Sequence, residues 1–385
     1  MNDDRQGQQQ GQGGQGQQGG GGGQNNPQRH KQGGGGQHGG HGGGHGHHGK
    51  RNRHRGGHGH HGGQNRQHQH GGGGGGNHNR GGGGGGGGGG SRAVHVVTEA
   101  EKQFMSKTPI DPKEWINLEK GAPTEPSMRA IDLLCPIGRG TRGLIVAPPK
   151  AGKTTILKQL SNAVHGFDPN IKQFVLLIDE RPEEVTDFKR SVPAEVVASS
   201  SDQSYDQHIK VAEDLMRRAT EAANSGADVL ILLDSLTRLS RVHNQFATGA
   251  RTMSGGLDSR AMETPRRFFG LARKIEEGGS LTILATILVD TGSRMDEVIF
   301  QEFKGTGNME IVLSRQAAEM RLFPAMKVRD SGTRKEEKLL PPDMLEGAWK
   351  LRRALADKGD TDALKMLVEG LRVHKTNKAL LAALR

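Results

Sequence analysis

Lys153 and Thr154 close an octapeptide whose residue types and spacing suit a polyphosphate: Ala147-Pro148-Pro149-Lys150-Ala151-Gly152-Lys153-Thr154. It fits the phosphate-binding loop with alanine in place of the usual first glycine. In such a loop, backbone amides at a helix N-terminus hold the anion, the lysine reaches the β and γ phosphates, and the hydroxyl ligates Mg²⁺. Pro149, Lys150, Ala151, Gly152, Lys153, Thr154 and Thr155 are therefore candidate ATP-binding residues, with Thr154 a candidate Mg²⁺ ligand and Lys150 a second cation at the crown of the loop. The bland alternative is a glycine-bearing turn. The flanks speak against it, because Gly143-Leu144-Ile145-Val146 reads as a strand and Thr155-Ile156-Leu157-Lys158-Gln159-Leu160 opens a helix.

Such a loop needs a second carboxylate on the metal side, at the end of a neighbouring strand. Val229-Leu230-Ile231-Leu232-Leu233-Asp234 offers Asp234. Taken alone, an aspartate after an apolar strand could equally cap the next helix. Hydrolysis also needs a group that orients or deprotonates water, and Phe174-Val175-Leu176-Leu177-Ile178-Asp179-Glu180-Arg181 puts Glu180 just past another strand. Asp179 and Glu183 remain rivals for that role, with Glu180 then only neutralising Arg181.

The elements that must position these residues alternate in type, as in a parallel sheet wrapped by helices. Strands are expected at 142–146, 173–178, 195–198, 229–233, 281–289 and 309–313. Helices are expected at 153–164, 183–191, 204–225, 264–275, 344–358 and 361–369. Thr98-Glu99-Ala100-Glu101 fits a capping box opening a short helix through Lys107. The fold class is α/β: a RecA-type P-loop NTPase with a mostly parallel sheet, helices at the C-terminal end and a disordered N-terminal tail. The expected boundaries are 1–91 for the tail, 92–130 for a connector with a short helix and 131–385 for the ATPase domain.

The tail is read from composition. Its first ninety residues hold no Phe, Trp, Tyr, Val, Ile, Leu or Ala, so they bury too little apolar surface to offset ordering. Nine Lys or Arg against Asp3 and Asp4 give it +7 of the total +11. A sparse cationic chain attracts polyanions, nucleic acid being the usual one, though an anionic membrane surface fits the charge as well. Thirteen of the eighteen histidines lie there, in clusters such as His45-Gly46-His47-His48, where loose binding of Zn²⁺, Ni²⁺ or Cu²⁺ would be incidental. Cys135 is the single cysteine, which excludes an intrachain disulfide. The apolar run 281–289 is too short to span a bilayer, and the opening residues do not read as a secretory signal, so a soluble, cytoplasmic protein is expected.

From Ala130 to Arg385 the chain resembles the bacterial transcription termination factor Rho family. The likeness is carried by Pro136-Ile137-Gly138-Arg139-Gly140, Asp179-Glu180-Arg181-Pro182-Glu183-Glu184-Val185, Leu233-Asp234-Ser235-Leu236-Thr237-Arg238, Glu276-Glu277-Gly278-Gly279-Ser280-Leu281-Thr282, Phe303-Lys304-Gly305-Thr306-Gly307-Asn308-Met309-Glu310 and Ser331-Gly332-Thr333-Arg334-Lys335-Glu336-Glu337. The resemblance implies an RNA-dependent, helicase-type ATPase: a homohexameric ring with ATP sites between subunits, single-stranded RNA in the pore, and release of transcripts from the RNA polymerase elongation complex. It implies that Arg334 is an arginine finger from the neighbouring subunit, that Arg321 supports it, that Phe323 stacks on adenine, and that Glu180 and Arg181 are the water-activating glutamate and its adjacent arginine. Without it, Arg321 and Arg334 read as surface ion-pair partners.

The resemblance also implies two pore loops, for which 249–258 and 290–296 are candidates. Arg251, Thr252, Ser254, Gly255 and Gly256 in the first, and Gly292, Ser293 and Arg294 in the second, combine close backbone approach with cationic and hydroxyl groups suited to phosphate and sugar. The likeness departs before Ala130, where nothing matches the family's aromatic-bearing OB barrel, so RNA loading and sequence preference are expected to differ. Two other classes share parts of this pattern: ring ATPases that move protein without RNA, and an RNA-binding assembly factor whose tail drives clustering.

Overall fold

The computed structural model describes residues 97–246 and 253–384. The chain opens with α1 (Glu99–Ser106), β1 (Pro109–Ile110), β2 (Trp115–Ile116), α2 (Leu118–Gly121), α3 (Pro126–Leu134) and β3 (Ile137–Gly138). The alternating part follows: β4 (Arg142–Ala147), α4 (Lys153–Phe167), β5 (Lys172–Glu180), α5 (Pro182–Ser191), β6 (Glu195–Ser200), α6 (Tyr205–Asn224), β7 (Asp228–Asp234) and α7 (Leu236–Gln245). Next come α8 (Glu263–Gly270), β8 (Arg273–Ile275), β9 (Ser280–Leu288), α9 (Arg294–Phe303), β10 (Met309–Val312), α10 (Arg315–Glu319) and β11 (Gly332–Thr333). Three helices end the described chain: α11 (Pro342–Ala356), α12 (Asp360–Val373) and α13 (Asn377–Ala382).

The main sheet runs in the order β11-β10-β4-β9-β7-β5-β6. The pairs from β10 to β6 are all parallel, while β11 pairs antiparallel with β10, and β8 joins β9 and β1 antiparallel. Because strand side chains alternate between faces, the sheet divides the core. Ile145, Ala147, Val175, Leu177, Leu230 and Leu232 pack on one side with α3, α4 and the three C-terminal helices. Leu144, Val146, Phe174, Leu176, Ile231 and Leu233 pack on the other with residues of α6, α7, α8 and α9.

The expected strands are present with ends shifted by at most two residues. The expected helix 264–275 is corrected: α8 stops at Gly270, and Arg273–Ile275 is strand β8, held by pairing with both β1 and β9. Hydrogen bonding to two strands outweighs the helical periodicity that continued through those residues. The expected short N-terminal helix is α1, with both halves of its capping box formed between Thr98 and Glu101. The connector carries more structure than a Pro-punctuated linker, since β1 joins the sheet and β2 pairs with β3. Helix α3 runs unbroken through residues 126–134, across the expected boundary at 130.

Candidate functional site

Strand β4 ends at Ala147 and α4 begins at Lys153, so the five residues between them form the loop at the sheet's C-terminal end. Gly152, the N-cap of α4, has φ 91°, a left-handed conformation that a side chain would strain. No side chain caps this helix end, so the first-turn amides are arranged to receive an anion. Pro149, Lys150 and Thr155 are exposed, Ala151 is buried, and Lys153 and Thr154 are half-buried.

Lys153 Nζ lies 2.5 Å from Asp234 Oδ1 and 3.9 Å from Glu180 Oε2. The two carboxylates end β7 and β5, adjacent parallel strands, so strand register brings the three expected residues together. Asp234 is fully buried and also accepts a 2.9 Å hydrogen bond from Thr286 Oγ1. Glu180 is only 2% exposed. Its Oε1 accepts from the Arg181 amide at 3.2 Å, while Oε2 is buried without a hydrogen bond of good geometry, 3.1 Å from Arg238 Nη1. Burial pushes the Glu180 carboxyl above its ordinary value; Arg238 and Lys153 oppose that shift and Asp234 adds to it.

The residue types suit magnesium nucleotide. A threonine hydroxyl and a buried carboxylate are hard oxygen donors of the kind Mg²⁺ prefers, and Oε2 of Glu180 is an acceptor left without a hydrogen bond. Phe323 borders the same loop: a Cβ added to Gly152 would sit 4.0 Å from the ring edge. Phe323 is exposed, as is Arg321 two residues earlier. Arg181 is exposed at the N-cap of α5.

Arg334 lies elsewhere. Thr333 pairs with Met309, which pairs with Gly143, so Arg334 sits beyond the first residues of β4. The loop leaves the other end of that strand, roughly 20 Å away at ~3.3 Å per residue. The Arg334 amide donates to Asn308 O at 2.8 Å, and its guanidinium rests against Gly305. Within one chain it does not join Lys153, Glu180 and Asp234.

The two expected pore loops are brought into contact. Arg251 and Thr252 lie outside the described residues. Gly255 packs so closely on the second loop that an added Cβ would meet the Arg294 carbonyl carbon and the Met295 amide at 2.9 Å, and its φ is 76°. Arg294 is the first residue of α9 rather than a loop residue, because Ser293 caps that helix by accepting from the Asp296 amide. Ser254, Gly256, Gly292 and Arg294 are exposed, while Gly255 and Ser293 are half-buried.

Sequence reasoning assigned no role to Arg238, Arg241, Asn244 or Thr286. The first three are spaced by three along α7 and therefore share a face. Arg238 donates to Asp179 O and approaches Glu180, Arg241 pairs with Asp296 behind the second loop at 2.7 Å through Nε, and Asn244 holds the first loop through Gly256 O at 3.1 Å and the Asp258 amide at 2.8 Å. The spacing was readable in the sequence; the partners were not. Among the described residues, the non-glycine positions with left-handed φ are Lys150, Asp179, Asp290, Arg321 and Lys335. Lys150 and Arg321 are candidate site residues, Asp179 and Lys335 adjoin one, and Asp290 opens the second candidate loop; each costs about 1–2 kcal/mol of backbone strain.

A parallel sheet that feeds a Gly-Lys-Thr loop into a helix, with buried carboxylates ending two nearby strands, defines a RecA-type P-loop ATPase fold. In agreement, residues 127–333 match the nucleotide-binding domain of the ATP synthase alpha/beta family. The chain belongs, more narrowly, to the transcription termination factor Rho family. It is 51% identical over 276 residues to Rho of Bacillus subtilis, covering 71% of this chain and 64% of that protein. It is 48% identical over 285 residues to Rho of Haemophilus influenzae, covering 73% and 68%, and 51% identical over 283 residues to Rho of Streptosporangium roseum, covering 73% of each. The chain thus spans just under two thirds of the Bacillus relative. Among solved structures, a prototypical ATPase from the type III secretion system of pathogenic bacteria shares the fold, with TM-score 0.59 at 22% identity over 72% of this chain and 85% of the other. No described helix is long and apolar enough to cross a membrane.

Proposed function

We propose that the chain is an RNA-dependent ATPase that hydrolyses ATP at sites shared between copies in a hexameric ring, draws single-stranded RNA through the pore and ends transcription by releasing RNA from RNA polymerase in the cytoplasm. The observation that carries this reading is helix α7, whose one face grips Glu180 with Arg238 and the two candidate RNA loops with Arg241 and Asn244. A change at the catalytic carboxylate therefore has a direct route to both loops.

The roles follow from placement. The loop amides, Lys150 and Lys153 hold the phosphates, Pro149, Ala151, Gly152 and Thr155 shape the cradle, and Phe323 faces the base. Thr154 and Asp234 hold Mg²⁺, which when bound neutralises charge on the phosphates. Lys153, which pairs with Asp234, exchanges part of that contact for phosphate. Glu180 takes the proton of the attacking water; its raised pKa makes it a stronger base than an exposed glutamate. Arg181 stands beside it. Arg334, too far from its own chain's loop, completes the site of an adjacent copy, with Arg321 supporting the inserted arginine. Arg251, Thr252, Ser254, Gly255, Gly256, Gly292, Ser293 and Arg294 supply the RNA contacts. By domain, residues 131–385 form the motor, 92–130 the connector and 1–91 a cationic tail that adds salt-sensitive attraction for RNA.

The test is ATP turnover with and without single-stranded RNA, with Glu180→Ala as control. Turnover that rises with RNA and vanishes in the variant supports the reading. RNA-independent turnover would instead favour a ring ATPase that moves protein, and unchanged turnover in the variant removes Glu180 from catalysis.

A further inference from the structure

We infer that Tyr205 and Phe246 form a stacking platform for a nucleobase at the shoulder of the first RNA loop. The inference rests on the RNA-motor reading and adds to it a base-contacting site. Aromatic side chains are scarce, 3% of the chain, and Tyr205 is its single tyrosine. Two of the large apolar side chains that remain exposed among the described residues, Tyr205 at 50% and Phe246 at 47%, are neighbours. Their rings meet edge to face, with centroids 6.4 Å apart and planes at 89°. That arrangement satisfies the ring quadrupoles while each residue keeps about half its surface exposed, Tyr205 50% and Phe246 47%.

The platform is built from element ends rather than loose chain. Tyr205 is the first residue of α6, whose N-cap Ser204 accepts from the Gln207 amide at 3.3 Å. Its ring also meets the edge of His208 at 6.1 Å. His208 is buried and fixed by a 2.6 Å hydrogen bond between its Nδ1 and Ser199 Oγ. Phe246 closes the C-terminal end of α7, with its amide donating to His243 O at 3.2 Å. It stands next in the chain to the candidate RNA loop, five residues before Arg251 and eight before Ser254.

The chemistry favours a base over other occupants. Two exposed carboxylates, Asp202 and Asp206, lie within three residues of Tyr205 in the chain, so phosphate is disfavoured at the platform and an uncharged base face is the better occupant. Every base has a π-face, so stacking here is tolerant of sequence. Neither candidate loop contains an aromatic residue, and this pair supplies the base contact that they lack.

The experiment measures binding of the full-length protein to a labelled oligoribonucleotide and to an abasic strand of the same length, for the unchanged chain and for Tyr205→Ala/Phe246→Ala. The double variant should bind the base-bearing strand roughly fivefold to a hundredfold more weakly and the abasic strand equally well. A Phe246→Trp variant should show indole quenching with the base-bearing strand alone. Equal affinities for both proteins, equal losses on both strands, or a change in oligomeric mass by sedimentation (the sign of a contact between copies) each overturn the platform. If the unchanged chain binds no RNA, the RNA-motor reading itself fails, which is a different result from platform failure.

Discussion

Two buried carboxylates, Glu180 at the sheet's C-terminal end and Asp132 between the connector and the C-terminal helices, are shifted in the same direction for the same first cause. Burial pushes Glu180 upward and raises Asp132 to about 8. Their surroundings differ. Asp132 accepts from the Leu118 amide at 3.2 Å, the Glu119 amide at 2.6 Å and the Trp115 indole at 3.2 Å. The nearby Glu119, Arg129 and Asn377 continue the network to the last helices: Arg129 Nη1 donates to Leu371 O at 2.7 Å, and the Asn377 amide to Glu119 Oε1 at 2.6 Å. Glu180 leaves one oxygen without such a donor and stands among Lys153, Asp234 and Arg238. A displaced pKa thus marks burial in both places; the unused acceptor and the facing charges mark the place where chemistry is possible.

The largest expected effect is at Arg334. Its replacement by Ala should lower turnover roughly 10³–10⁵-fold, as for a trans-acting arginine, with nucleotide affinity and melting temperature nearly unchanged. Asp132→Ala should do the reverse. Turnover per folded molecule persists, while the loss of an acceptor for three N–H donors costs about 1–3 kcal/mol of stability or more, read by denaturant unfolding. A large loss of specific activity in the Asp132 variant would break the comparison.

The two carboxylates should also answer differently to pH. Arg238 is the chief influence lowering the Glu180 pKa. Arg238→Gln should therefore favour the protonated acid and move the acidic limb of kcat/KM to higher pH; a limb that stays put or moves down contradicts the pairing. Asp132 acts on stability instead. Its folded pKa lies above the ordinary 3.8, so the fold holds more protons than the unfolded chain between those values. Its contribution is fully present below about 4 and is lost as pH rises towards about 8. In Asp132→Ala that part of the pH dependence should disappear from unfolding curves.

Much of the working region was legible in the sequence because its strands are buried on both faces and read as apolar runs, and the runs of β5 and β7 each end in a carboxylate that stays buried, Glu180 and Asp234, while that of β4 ends at Ala147 where the Gly-Lys-Thr loop begins. Helices α7 and α9 were harder to see. Leu236–Gln245 carries Arg238, Arg241 and Asn244 on the face that grips the two loops, and α9 begins inside a segment read as loop because its cap, Ser293, follows a glycine. Thr286 could not be found without register, since it meets Asp234 only because β9 lies beside β7 with Leu233 opposite Ala285. Phe323 and Gly152 are far apart in sequence, and only the family likeness suggested that they meet. The Asp132 network was invisible for the same reason, being assembled from 115–132 and 371–377.

The central claim is that each catalytic site is completed by another copy. It is tested most directly by mixing Glu180→Gln with Arg334→Ala, each inactive alone, in the presence of single-stranded RNA. Mixed assemblies contain interfaces that pair an intact Glu180 with an intact Arg334, so turnover should rise above the sum of the separate variants. A mixture no more active than that sum would contradict the shared site.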